Sequence, residues 1–177
     1  MSVVGEYIKG LTINADNYMQ TSIKELDRID RAILRELQLD GRLPNVELSR
    51  RVGLSATPCL ERVKRLESNG YIRGYEAVLA PTKLEAALLV FVEIRLNHTS
   101  PDVFKDFKKA VIELPQVLEC HLVSGDFDYL VKARVADMVA YRTLLGETLL
   151  TLPGVSGSRT YVVMEEVKES RILPIPV

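Results

Sequence analysis

The sequence predicts an α+β chain, with three helices up to Gly70 followed by a β-α-β-β-α-β unit built on one antiparallel sheet. Three observations lead there. Apolar residues recur at i, i+3, i+4 and i+7 from Leu26 to Leu66. Beyond Pro81 the pattern changes to short apolar, β-branched runs that alternate with two amphipathic stretches. Gly and Pro stand at the joints between them.

Taken in order, residues 1–24 show weak periodicity and read as a flexible arm of no assigned function. Asp27 is placed to cap a first helix, with Asp30 in its first turn, and Leu26, Ile29, Ile33, Leu34 and Leu37 form its inner face. Asp40-Gly41 ends it. Asn45 is expected to cap a second, short helix with Leu48 and Val52 inward, and Gly53 suits the left-handed residue that stops it. Ser55 then caps a third helix, whose first turn tolerates Pro58. On this helix Cys59, Val63 and Leu66 point inward, while Thr57, Glu61, Arg62, Lys64, Arg65 and Ser68 look outward. Gly70 closes it.

A short helix, a glycine turn and a basic second helix make a helix-turn-helix candidate over residues 25–70. In that reading Ser55, Thr57, Pro58, Arg62 and Arg65 present the helix to the major groove, and Arg50, Arg51, Lys64 and Arg73 meet phosphates. The plainer reading is a helical hairpin with solvated charges. Net charge is only −1, although residues 25–74 carry ten Lys/Arg against eight Asp/Glu and the remainder is acidic.

Residues 71–85 form the joint. Tyr71–Leu79 alternates like a strand, a wing or a linker, before Pro81. Residues 86–168 then give strand Ala87–Leu96, helix Pro101–Leu114, strand Val117–Val123, a turn at Gly125-Asp126, strand Tyr129–Val135, a helix capped by Asp137 and running through Leu150, and strand Ser158–Val167. This is the ferredoxin-like order, with two helices on one face of the sheet. Leu89 and Phe91 lie on one side of the first strand, and Val90, Val92 and Ile94 on the other. Such a doubly apolar strand predicts that the open face is covered, a second copy of the chain being the natural cover. Residues 169–177 read as a flexible tail.

Composition narrows the function. The two cysteines, Cys59 and Cys120, fit no ligand spacing and read as buried thiols in a reducing compartment. No apolar run approaches membrane length, and no signal peptide is evident, so a cytoplasmic location is expected. Phosphate-cradling glycine motifs, metal clusters and nucleophile–base pairs are missing, which speaks against an enzyme. No metal and no catalytic residue is expected. An RNA-binding sheet is disfavoured because Phe91 is the only aromatic on the first strand.

The segments LDRIDRAILRELQLDGR, NVELSRRVGLSATPCLERVKRLE, LLVFVEI, ECHLVSGDFDYLVKARV, AYRTLLGETLLTLPGV and TYVVMEEVK resemble the Lrp/AsnC family of transcription regulators, most of all its leucine-responsive members. The similarity spans about residues 24–170; the longer arm and the ILPIPV tail depart from it. The resemblance implies a double-stranded DNA-binding regulator, associated with the bacterial nucleoid, that forms homodimers assembling into octamers or larger rings. It also implies no cofactor, and an amino-acid effector such as leucine or another aliphatic, held at the dimer–dimer interface. The implied effector residues are Leu122, Ser124, Gly125, Asp126, Asp128 and Tyr129 at the glycine turn, with Met138, Tyr141, Thr160, Tyr161 and Val162 lining an apolar pocket. A turn with two carboxylates and free N–H groups can meet both ends of a zwitterion; by themselves Asp126 and Asp128 read more simply as solvated or as caps of backbone N–H groups, and only the resemblance favours the effector role. The alternative function is the amino-acid-binding regulatory domain of a metabolic enzyme.

Overall fold

A computed structural model describes residues 26–176; the expected N-terminal arm lies outside the described residues. The elements are α1 (Arg28–Leu39), α2 (Asn45–Arg51), α3 (Ala56–Ser68), β1 (Leu88–Leu96), α4 (Pro101–Ile112), β2 (Val117–Leu122), β3 (Tyr129–Val135), α5 (Met138–Thr143) and β4 (Val155–Val162). They divide into two compact units, residues 26–78 with 169–176, and Leu79–Lys168.

In the first unit α1 opens with a capping box. The Asp27 carboxylate accepts the Asp30 N–H at 2.8 Å, and the Asp30 side chain answers the Asp27 N–H. Ile33, Leu37, Leu48, Cys59 and Leu66 form the core, with Leu26, Ile29, Leu34, Val52, Leu54 and Val63 packed around them. That is the inward set expected from periodicity. Asn45 is not the cap of α2; Pro44 is, and the Asn45 amide instead donates to the Ala56 carbonyl at 2.8 Å, tying the two helices across their turn. Gly53 (φ 71°) lets the Leu54 N–H reach Ser49 O at 2.8 Å while its own N–H bonds Arg50 O. These are the two bonds of a Schellman stop, and they turn the chain into α3.

Two expectations for this unit fail. Tyr71–Leu79 is not a strand: among the described residues no strand pairs with it, and without a ladder its backbone stays irregular. Tyr75 from that stretch donates to Glu67 on α3 instead. Nor does the segment after Lys168 hang free. The Gln38 side chain donates to Leu173 O and accepts from Leu173 N–H, both at 3.0 Å, and Arg171 pairs with Glu76.

The second unit carries a four-stranded sheet of order β2-β3-β1-β4, all neighbours antiparallel. β1 sits inside, paired on both edges. Val90, Val92 and Ile94 share a face with Ala133, Val131 and Tyr129, against which Phe104, Phe107 and Val111 of α4 are buried. The helix capped by Asp137 begins as expected, but the α-helical turns stop at Thr143. The backbone widens into a π-turn over Leu144–Thr148, around Gly146, and tightens into a 3-10 turn over Leu149–Thr151. β4 lies three residues earlier than expected at its start and five at its end, because its register is set by β1; the last bond is Val163 N–H to Leu89 O. The open face is mixed rather than doubly apolar. Leu89 and Phe91 share it with a Lys132–Glu119–His121 cluster, a buried Arg134 paired with Glu166, and Tyr161 bonded to Glu93.

Gly154 ends the α5 region with φ 77°, and a Cβ there would collide with the Val103 side chain of α4. Gly154→Ala should therefore cost roughly 2–4 kcal/mol, the left-handed penalty plus overpacking. Gly53→Ala has the same backbone sign but open space around it, and should lose only about 1 kcal/mol. Urea unfolding of the two variants beside the parent chain measures the difference.

Candidate nucleic-acid interface and effector site

The outward side of α3 is a stripe of Thr57, Leu60, Glu61, Lys64 and Ser68, all exposed, with Ser55 exposed at its N-terminal end. Ser55 is at the cap position, but its hydroxyl makes no cap bond and stays available. Pro58, half-buried, sits in the first turn. Leu60, 42% exposed, was placed on neither face by the sequence reading. On a groove-facing helix such a side chain suits a thymine methyl.

Arg62 and Arg65 do not look outward. Both turn back to α1, where the Asp30 carboxylate is buried. Arg62 Nη1 lies 2.8 Å from Asp30 Oδ1 and 2.5 Å from Asp27 Oδ2, and Arg65 Nη2 lies 2.7 Å from each Asp30 oxygen. The physical reason is desolvation: a carboxylate folded inside must have a counter-charge, and these are the cations in reach. The missed signal was the pairing of Asp27 and Asp30 with Arg62 and Arg65 across the bundle, invisible to periodicity within a single helix.

The other cations differ in how firmly they are held. Arg51 pairs with Glu36 at 2.9 Å and Glu47 at 3.1 Å, and Arg50 approaches Glu47 only at 3.8 Å. Arg50 is largely exposed and Arg51 about half exposed. Exposed pairs of this kind contribute about 0–1 kcal/mol, so either guanidinium can exchange its partner for a phosphate. Lys64 and Arg73 are exposed as well.

In the second unit, Ser124, Gly125 and Asp126 form the exposed turn between β2 and β3, with Leu122 half-buried at its start. Asp128 is occupied. Its carboxylate accepts the Leu96 N–H at 2.8 Å and its own N–H bonds Ile94 O, so it pins the turn to the end of β1. Tyr129 is core, 2% exposed and stacked on Phe107 at 4.3 Å between centroids. Tyr141 is buried and its hydroxyl bonds Thr160, on the helix side of β4; Tyr161 points to the opposite face, bonded to Glu93 at 2.8 Å. Met138 and Val162 are exposed.

These residues do not converge within one chain. The turn lies beside the Ile94–Leu96 end of β1, whereas Val162 pairs with Val90 and Met138 follows the β3 end that pairs with Leu88. At about 3.3 Å per residue the two groups are roughly 15–20 Å apart along the sheet. Two concavities stand out, one lined by Asp106, Lys109, Ala110, Glu113 and Pro153 and the other by Leu26, Asp27, Asp30, Arg65, Leu66, Asn69 and Tyr71. Neither contains an expected effector residue.

Of the two thiols expected to be buried, Cys59 is fully buried and Cys120 only half-buried, where burial still pushes its thiol up to about 11. Among the described residues, no cluster of His, Cys, Asp and Glu could hold a metal ion, and no helix is long and apolar enough to cross a membrane.

A three-helix reader with an exposed polar helix, carried on a chain with a second, sheet-based unit, has the architecture of a helix-turn-helix DNA-binding regulator. The comparisons agree. Residues 26–73 match a winged helix-turn-helix DNA-binding model, and residues 89–173 match the Lrp/AsnC ligand binding domain. The leucine-responsive regulatory proteins of Escherichia coli K12 and Klebsiella pneumoniae are 69% identical to it over 152 residues, covering 86% of this chain and 93% of theirs. A transcriptional regulator from Neisseria meningitidis, solved as an L-Met complex, superposes with TM-score 0.81 at 40% identity, covering 85% of this chain and 97% of its own. A feast or famine regulatory protein from M. tuberculosis, complexed with L-methionine, superposes with TM-score 0.78 at 34% identity, covering 86% and 100%. The chain belongs to the Lrp/AsnC family of transcription regulators.

The ion pairs make both units acid-sensitive. Donation from Arg62, then the Asp30 N–H, holds the Asp27 carboxyl below its ordinary 3.8. Donation from Lys132, then His121, holds Glu119 below 4.5. A depressed carboxylate stabilises the fold fully above its unfolded value, and that stability is lost as pH falls through the folded value. Thermal melts should therefore be insensitive to these two groups above about pH 5 and fall below about pH 4, with Asp27→Asn and Glu119→Gln each removing part of the acid slope.

Proposed function

We propose that this regulator reads duplex DNA with the Ser55, Thr57, Leu60 and Lys64 side of α3, and that assemblies of the chain respond to an amino acid. The observation that carries the first part is the exposed stripe itself, which stays turned outward while its neighbours Arg62 and Arg65 are tied inward. Thr57 and Leu60 are the base-reading candidates. Arg50, Arg51, Lys64 and Arg73 are the phosphate contacts, with Pro58 fixing the first turn.

Support for the second part comes from relatives whose structures hold L-methionine and from relatives named leucine-responsive. The effector is then leucine, methionine or a similar aliphatic amino acid, and no cofactor is invoked. Ser124, Gly125 and Asp126 offer N–H groups and an exposed carboxylate for the zwitterion, with Asp128 holding the turn in shape. Because Met138, Tyr141, Thr160 and Val162 lie at a distance within one chain, a complete site requires a second copy, in keeping with homodimers that assemble to octamers or beyond. A chain of this kind works in the cytoplasm, on the nucleoid, and catalyses nothing.

Selection from a random duplex pool tests the reading. The protein should enrich a defined motif and prefer duplex DNA to single-stranded RNA; equal retention of both sinks it. Thr57→Ala should cost ~1–3 kcal/mol on the selected motif with relaxed choice at one base pair, whereas Arg50→Ala and Lys64→Ala should weaken all duplexes and lower the salt slope by about 1 each.

For the effector, a thermal-shift panel of amino acids should show stabilisation of about 2.7 kcal/mol at a hundredfold excess over Kd. Light scattering should show a changed mass distribution, since a ligand shifts an assembly only by binding its forms unequally. No response to any aliphatic amino acid in either measurement would remove the sensing role.

A further inference from the structure

The DNA-reading assignment leaves unused the strongest electrostatic feature of the first unit, the Asp27–Asp30 pair of α1 against Arg62 and Arg65 of α3. The helix that presents the reading face carries three cations, Arg62, Lys64 and Arg65, and two of them are neutralised from behind. The Asp30 side chain is 5% exposed. It cannot rotate out to water if its arginines leave for a phosphate. Leaving that buried carboxylate without a counter-charge is more costly than a screened phosphate contact is favourable. The pairs should therefore persist on DNA.

We propose that Asp30, with Asp27, is a specificity-determining positioning residue. It fixes the orientation of α3 and withholds two guanidinium groups from sequence-independent phosphate binding. This rests on the DNA-reading function above. The charge that remains on the outer face of α3 is then small, Lys64 against Glu61, so discrimination by the groove-facing side chains is not swamped by backbone affinity. A cation released from Asp30 would have the opposite effect: an added phosphate contact on any sequence, with added counterion release.

The test is a salt titration of the full chain on its selected duplex and on a random-sequence duplex, for wild type, Asp30→Asn, Asp27→Asn and the double variant Asp30→Asn/Arg65→Gln, since Arg62 keeps Asp27 as a partner and Arg65 is the cation that Asp30→Asn frees. Asp30→Asn should steepen the salt slope on random duplex by about 0.9 and tighten that binding severalfold at low salt, so that the specific-to-random ratio falls. The double variant should return the slope toward wild type, because the freed cation is gone. Asp27→Asn preserves the helix cap, since asparagine caps as well as aspartate. It should move the slope in the same direction by less, and it decides the matter if Asp30→Asn does not fold.

A purely structural role predicts that both affinities fall in parallel with the slope unchanged, and that result overturns the proposal. So does a steeper slope that the double variant fails to reverse. If wild type itself binds no duplex, the DNA-reading function falls in the same titration, a failure visible without any variant.

Discussion

A buried carboxylate cannot be left alone, and in the first unit that requirement falls on Asp30. Two arginines one helical turn apart on α3 converge on it while Asp27 shares Arg62, so α1 and α3 are cross-linked by directional, charge-assisted bonds. Hydrophobic contact alone would let the helices slide, since apolar burial is non-directional. With the clamp in place the azimuth of α3 is set, and with it the side chains that face out. Ser49, buried with its hydroxyl turned onto Val46 O, allows α2 to come close. The Gly53 stop and the Asn45–Ala56 bond then fix the angle between the two reader helices. The exposed stripe is in this sense a consequence of what is buried behind it.

The sheet unit has a comparable constraint in β1, whose two edges are both consumed by pairing. Its register fixes where β3 and β4 end, and so places the glycine turn at one end of the sheet and Met138 with Val162 at the other. A ligand pocket drawing on both groups has to be assembled from more than one copy. The mixed face, with the Lys132–Glu119–His121 cluster beside Phe91, is suited to a contact that is partly apolar and partly electrostatic.

Much of this was legible in the sequence. The α+β class, the order of elements and the inward faces of all three N-terminal helices follow from periodicity and from Asp27, Gly53, Gly70 and Asp137 standing at element ends. β3 was legible to the residue. Failures came where structure depends on partners distant in sequence. Tyr71–Leu79 alternates like a strand but joins no sheet among the described residues; β4 was read from its apolar residues, whereas its register belongs to β1. The outward direction assigned to Arg62 and Arg65 was sound for a helix in isolation and reversed by a carboxylate 32 and 35 residues upstream. At the expected effector positions, sequence could name residue types suited to a zwitterion, but not that Tyr129 would be stacked in the core or that Asp128 would be spent on the Leu96 N–H.

The small positive charge of the reader, puzzling for a DNA-binding unit, becomes intelligible once two of its cations are internally balanced. On the proposed reading, a single head of this kind would bind any duplex weakly, because few phosphates would be neutralised. Several heads in one assembly recover affinity through effective concentration, provided the spacing of the heads matches the DNA. On the proposed reading, affinity would then depend on geometry between copies, while discrimination would stay with α3. An effector that favours one assembly over another changes spacing without touching a base contact. If the chain assembles and senses an amino acid as proposed, low charge per head would make such control effective, because a strongly basic head would hold DNA whatever the arrangement of its neighbours.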